Sequence, residues 1–286
     1  MKRWISALLM SCFLLGGCAA SVSGQPEMPR QCLTVCIPGE QDFWIPVLRE
    51  FQQRSGIWIR TCNAPAEPEE GMLPDLVIGF AADSASDGKC VGWQVPVIVS
   101  NPYLIRKNPP RRFADLGESQ WARSLSFADP AASGFSRCAL ALLAGADPEG
   151  SLRAFSGAVS RVTGDPRSAL ADVCNGTTAL GLVPESEALL AMDRGQRLEL
   201  IYPEEGSFLL PILAVIPESS PDPADAEALR GFLLEESTQS YLWNTAQIRP
   251  ADGALLPGNP VFIDEGKPDS QNRLVELWRQ LREVEP

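Results

Sequence analysis

The sequence predicts an α/β protein built on mostly parallel sheet, and three observations carry that prediction. Short apolar runs are closed off by Pro, Gly, Asn or Asp, as strands are. Longer stretches with apolar residues three and four positions apart read as amphipathic helices. The two kinds alternate along the chain, which is the pattern of a parallel sheet with crossover helices. The 286 residues amount to about two domains at roughly 150 residues each. A content of 45% hydrophobic and 21% charged residues is that of an ordinary globular protein.

Residues 33–37 form the first strand, stopped by Pro38-Gly39. Residues 42–54 follow as a helix, with Phe43, Trp44, Val47, Leu48 and Phe51 at helical spacing, Pro46 early and Gly56 as the stop. Strands are predicted at 57–62, at 76–80 behind Pro74-Asp75, and at 95–100 ahead of Asn101-Pro102. Residues 125–128 are a strand ending at Asp129-Pro130, and the small residues 131–134 open a helix to about Leu143. A short helix at 167–173, a strand at 180–183 and two more strands at 198–202 and 210–216 come next. Residues 222–234 form a helix with Ala226, Leu229, Phe232 and Leu233 inward. A last helix, 269–284, repeats Leu274, Leu277, Trp278 and Leu281 on one face and is capped by Asp269 or Ser270. Its Trp278 face is expected to lie on the first half of the molecule, and the tryptophans in general are assigned to packing.

Charge and composition exclude several functions. There is no histidine, so a Ser-His-Asp or Cys-His machine, a histidine base and a histidine metal ligand are all ruled out. With 24 Lys and Arg against 36 Asp and Glu, the formal charge is −12, which argues against nucleic acid as partner. No cysteine spacing fits a zinc site, and no metal or cofactor is predicted.

The chain begins Met1-Lys2-Arg3, continues through a mostly apolar run at 5–15, too short to span a bilayer comfortably, and reaches Leu15-Gly16-Gly17-Cys18. This resembles the lipobox of bacterial lipoproteins. The resemblance implies a signal peptide at 1–17, a lipid on Cys18, and a flexible tether at 18–30. Cleavage would remove Lys2 and Arg3 and take the charge from −12 to −14. Export leaves six further cysteines, an even number that suggests disulfides.

Several segments, taken in order, resemble a known family. Thr34-Val35, then Pro46 to Phe51 and Ser55-Gly56-Ile57, are similar to a first strand, first helix and turn. Pro74 to Ile78 resembles an "ADL-apolar" strand. Phe113 to Leu116, Ser126 to Pro130, Ser133-Gly134, Gly164 to Leu170, Ala179 to Val183 and Leu233 to Pro250 continue the match over about residues 33–250. The chain thus resembles extracytoplasmic solute-binding proteins of the type II periplasmic-binding-protein fold, above all the molybdate-binding family of ABC importers.

The resemblance implies a two-lobed clamshell, one lobe formed by 31–104 plus 206–286 and the other by 105–205, with the ligand in the cleft. It implies no catalysis. The function would be delivery of a small solute, an oxyanion such as molybdate or tungstate, from the periplasm to an ABC permease by a lipid-anchored monomer. Helix N-termini converging from both lobes would grip an anion without cationic side chains. The ligand set transferred by position is Gly39, Glu40, Gln41, Asn63, Ser133, Gly134, Pro166, Arg167 and Glu185. Hydroxyl groups that the family places after its first two strands are replaced here by Gly39-Glu40-Gln41 and Asn63, and its tyrosine by Pro184-Glu185. Three readings follow: Glu40 faces solvent, or Glu40 and Glu185 face a cation or amine, or the cleft has lost its ligand and serves a sensory role. A carboxylate hydrolase using Glu40 and Glu185 is the enzymatic alternative and needs the pair about 5–9 Å apart. By position in this fold, Cys138 would pair with Cys174 and Cys36 with Cys62, leaving Cys32 and Cys90.

Overall fold

A computed structural model describes residues 32–38, 43–63, 73–80, 88–262 and 268–284. The leader, Cys18, the tether, Gly39, Glu40 and Gln41 lie outside the described residues. The first elements are β1 (Cys32–Cys36), α1 (Trp44–Ser55), β2 (Trp58–Cys62), β3 (Leu76–Phe80), β4 (Lys89–Gln94) and β5 (Pro96–Ser100). Then come β6 (Leu125–Ala128), α2 (Gly134–Ala144), α3 (Pro148–Ala158), β7 (Val159–Thr163), α4 (Pro166–Cys174), β8 (Leu180–Pro184) and α5 (Glu185–Asp193). The remainder is β9 (Glu199–Ile201), β10 (Ser207–Val215), α6 (Pro223–Leu233), α7 (Glu236–Ala246), β11 (Pro260–Phe262) and α8 (Pro268–Val284).

These strands build two mixed sheets. The first runs β11-β10-β3-β1-β2, with β4 also paired to β10. The second runs β7-β6-β8-β5-β9. Each has a parallel trio, β2-β1-β3 or β7-β6-β8, flanked by an antiparallel strand, β10 or β5. The chain passes from the first sheet to the second at Val95, and returns through residues 202–206. The first passage lies ahead of the boundary expected at residue 104, because β5 already pairs with β8 and β9.

Packing follows the apolar periodicity. Trp44, Val47, Leu48 and Phe51 on α1 join Leu33, Val35, Leu76 and Ile78 in the core on the first sheet. Each such side chain stabilises by about 1.5–3 kcal/mol relative to exposure. Asp75 ties this half together: its buried carboxylate accepts from the Thr34 amide at 2.7 Å, from the Asp222 amide at 2.9 Å and from the Ser220 hydroxyl at 3.3 Å. Phe127, Leu140, Leu152 and Phe155 form the corresponding core of the second half.

The terminal helix corrects the sequence expectation. Trp278 does not lie on the first half. Its ring packs on Phe127 at 5.8 Å and on Phe155 at 5.6 Å, in the core of the second sheet, and α8 lies against α2 and α3. The chain therefore crosses between the halves a third time, after β11.

The structure joins no two of Cys32, Cys36, Cys62, Cys90, Cys138 and Cys174 by a disulfide, contrary to the sequence expectation. Cys138 is buried with α2 in one apolar cluster and Cys174 packs against another, so they face different cores. Cys32 on β1 and Cys90 on β4 are separated by β3 and β10. Three strand spacings, about 14 Å, exceed the ~7 Å that a disulfide spans between Cα atoms. Cys36 and Cys62 are direct register partners on β1 and β2, within one small apolar cluster.

Candidate functional site

In parallel sheets the strands' carboxyl ends and the helix N-termini that follow them gather at one edge, where ligands bind. Here both sheets turn that edge toward a shared cleft of about 310 Å³. The first sheet contributes Ile37 and Pro38 after β1, Phe43 and Trp44 at the start of α1, and Ile78 and Phe80 at the end of β3. Gln94 and Ile212 complete that wall. The second sheet contributes Ser133 to Phe135 after β6, Asp165-Pro166 after β7, and Ser186 and Glu187 after β8. Phe80 and Phe135 meet edge to face across it, with ring centroids 6.2 Å apart.

Four helices start at the cleft: α1 carries neither a side-chain cap nor an acidic residue in its first turn, whereas the other three starts are engaged by the chain's own groups. Ser133 caps α2, its hydroxyl accepting from the Ser136 amide at 3.2 Å. Asp165 caps α4, accepting from the Ser168 amide and hydroxyl, each at 2.8 Å. The first turn of α5 carries Glu185 and Glu187, carboxylates that complement the positive helix end. Glu187 accepts from the Arg167 guanidinium at 3.3 Å. Gln94 accepts from the Ser186 hydroxyl at 3.0 Å.

Of the ligand set expected from the sequence, Ser133, Gly134 and Pro166 line the cleft. Arg167 stands beside it as the partner of Glu187, and Asn63 is exposed at the end of β2, outside the lining. Glu185 turns the other way. Its buried carboxylate receives Arg249 through two hydrogen bonds of 2.6 Å, to both oxygens, and also the Tyr202 hydroxyl. Burial pushes the Tyr202 phenol up, and the Glu185 carboxylate adds to that. Burial pulls the Arg249 guanidinium down, but its bonds to Glu185 outweigh this and leave it raised. Arg249 also lies over the Trp243 ring at 5.3 Å, donates to the Leu255 carbonyl, and bridges its backbone to Trp93. A residue after α7 is thereby joined to the start of α5 and the chain after β9, where the two sheets meet. With Glu185 committed to Arg249, the cation-facing and hydrolytic readings lose that carboxylate.

The lining residues Phe80, Gln94, Phe135, Asp165, Ser186 and Glu187 were not singled out from sequence as ligand contacts. The carboxyl-end rule applied strand by strand points to most of them, since each lies on or just after a strand ending at this edge. Among the described residues, no cluster of three or more acidic, cysteine or histidine side chains could hold a metal ion. None of their helices is long and apolar enough to cross a membrane.

Comparison with solved structures finds the same architecture in known binding proteins. The periplasmic binding protein AfuA from Actinobacillus pleuropneumoniae, with fructose-6-phosphate bound, superposes with a TM-score of 0.76 at 15% identity, covering 90% of this chain and 100% of that one. Iron-bound HitA from Pseudomonas aeruginosa gives 0.71 at 17% identity over 88% and 99%. A periplasmic thiamin binding protein gives 0.71 at 16% over 88% and 96%. No curated protein matches in sequence. The fold is the two-lobed α/β clamshell of type II periplasmic binding proteins; the molybdate-binding subgroup is not singled out by these matches. Residues 74–242, more than half of the chain, match the family described as bacterial extracellular solute-binding protein, and the chain belongs to that family.

Proposed function

We propose that this protein is the solute-capturing component of an ABC importer, held at the outer face of a bacterial membrane through a lipid on Cys18. The observation that carries this reading is the cleft, into which both sheets direct the carboxyl ends of their strands. The lobes are the two sheets with their helices, and they close by rotation about the chain crossings between them, Val95 and residues 202–206 among these. A solute that touches both walls favours the closed form because only there are all its contacts available. The reaction performed is transport; no catalytic pair is assigned.

Among possible cargoes, an organic solute fits better than a bare oxyanion such as molybdate. The apolar and aromatic side chains Ile37, Phe43, Trp44, Ile78, Phe80 and Phe135 would have nothing to contact on a small dianion, and Asp165 and Glu187 would repel it. Thermal unfolding against a panel of sugar phosphates, amino acids, amines, vitamins, molybdate and ferric citrate tests the reading. A cargo at 100 times its Kd stabilises by about 2.7 kcal/mol; a panel in which every member leaves Tm unchanged contradicts solute capture. The anchor is tested separately by labelled palmitate, whose incorporation should vanish in Cys18→Ala.

A further inference from the structure

The walls of the cleft combine aromatic faces with carboxylates. Phe43, Trp44, Phe80 and Phe135 supply the rings, while Asp165 and Glu187 supply negative charge. Among the described residues no Lys or Arg lines the cleft.

Of the four helix starts at the cleft, α1 has no side-chain cap and no acidic residue in its first turn, and the other three are offset by the chain's own groups. Asp165 occupies the start of α4, Glu187 sits in the first turn of α5, and the Ser133 hydroxyl takes one amide of α2. The Arg167 guanidinium, 44% exposed, donates to both oxygens of the buried Glu187 at 3.3 Å, so a cargo would share that carboxylate with it. Gln94 is buried at the cleft wall with its carbonyl engaged by Ser186, leaving its amide nitrogen to donate to the cargo.

Resting on the reading of this cleft as a solute site, we propose that its cargo is an organic cation. Its ammonium or quaternary nitrogen is held by Glu187 and Asp165, and its apolar body lies against the aromatic walls. Cations favour the faces of aromatic rings, most when water is excluded, and carboxylates of the chain neutralise the charge that an apolar cleft would otherwise reject.

The test is isothermal titration of the full chain with benzyltrimethylammonium, benzyl alcohol, benzoate and molybdate. Benzyltrimethylammonium should bind tightest. Glu187→Gln should weaken it roughly 10- to 100-fold, the range of a hydrogen bond or ion contact to charge. Asp165→Asn retains the helix cap and should weaken it in the same direction, so a folding defect in one variant does not decide the matter. Arg167→Ala should leave cation binding as tight or tighter, since it releases Glu187. Benzyltrimethylammonium binding no tighter than benzyl alcohol overturns the proposal. Preferential binding of benzoate or molybdate, weakened by Arg167→Ala, overturns it while leaving solute capture intact. Solute capture itself falls only if the wider panel is also silent.

Discussion

Arg249 and Glu185 form an ion pair although only 10% of the one side chain and 1% of the other reach solvent. Such a pair is tolerable because every strong donor has a partner: both carboxylate oxygens are used, the third guanidinium nitrogen donates to Leu255, and Trp243 covers the flat face. Removing one partner strands the other charge, so Arg249→Met should cost about 3–5 kcal/mol of stability in urea unfolding. The double variant Glu185→Gln, Arg249→Met should cost less than the sum of the single changes. Tyr202 adds a pH dependence. Its folded phenol titrates above the unfolded value of about 10, so its stabilisation is complete below that pH and is lost above it. Between pH 9 and 11 the unfolding free energy of the parent should fall more steeply than that of Tyr202→Phe; equal slopes would contradict this role.

At the scale of elements, the outcome most at odds with the sequence is α8. Its apolar face was plain, but an amphipathic helix does not state which surface it covers. The Phe127–Phe155–Trp278 cluster decides for the second sheet. Trp278→Ala should therefore destabilise by about 3–5 kcal/mol, and hydrogen exchange should accelerate first in α2, α3 and β6 rather than in α1. Elements with strong periodicity, such as α1 and α6, and apolar strands such as β3, β5 and β8 were readable directly. Six others, β4, α3, β7, α5, α7 and β11, were not read from residue pattern. β4 contains Gly92, where an added Cβ would come within 2.7 Å of Ile248, so close packing and not β-propensity selects its residue. α3 holds Gly150 and Gly157, and β7 follows it without a break. α5 buries Glu185, Ser186 and Glu187 along with Ala188 and Ala191, so its inner face is largely polar and has no apolar stripe. The helix start at Ser133 was legible, its hydroxyl being a preferred cap; Ser133→Ala should cost about 1 kcal/mol, measured by thermal unfolding.

For the whole molecule, the parallel α/β character was legible in the alternation of strands and helices, whereas the two-lobed clamshell came from the family resemblance. The cleft's chemistry was less legible. It is assembled from segments as far apart as Ile37 and Ile212, and nothing local in Gly79-Phe80 or Gln94 announces a shared wall. Glu185 shows why position alone misleads: two residues, about half a turn of helix, separate a carboxylate locked onto Arg249 from Glu187 lining the cleft. The central claim, that cargo is gripped by both halves at this cleft, is tested most directly by hydrogen exchange with and without a stabilising solute. Slowed exchange together at residues 35–38 and 43–46, 133–137, 166–169 and 185–188 is the predicted result. Protection confined to one sheet, or centred on the groove formed by Pro46, Glu50 and Tyr241 on the far side of α1, would contradict it.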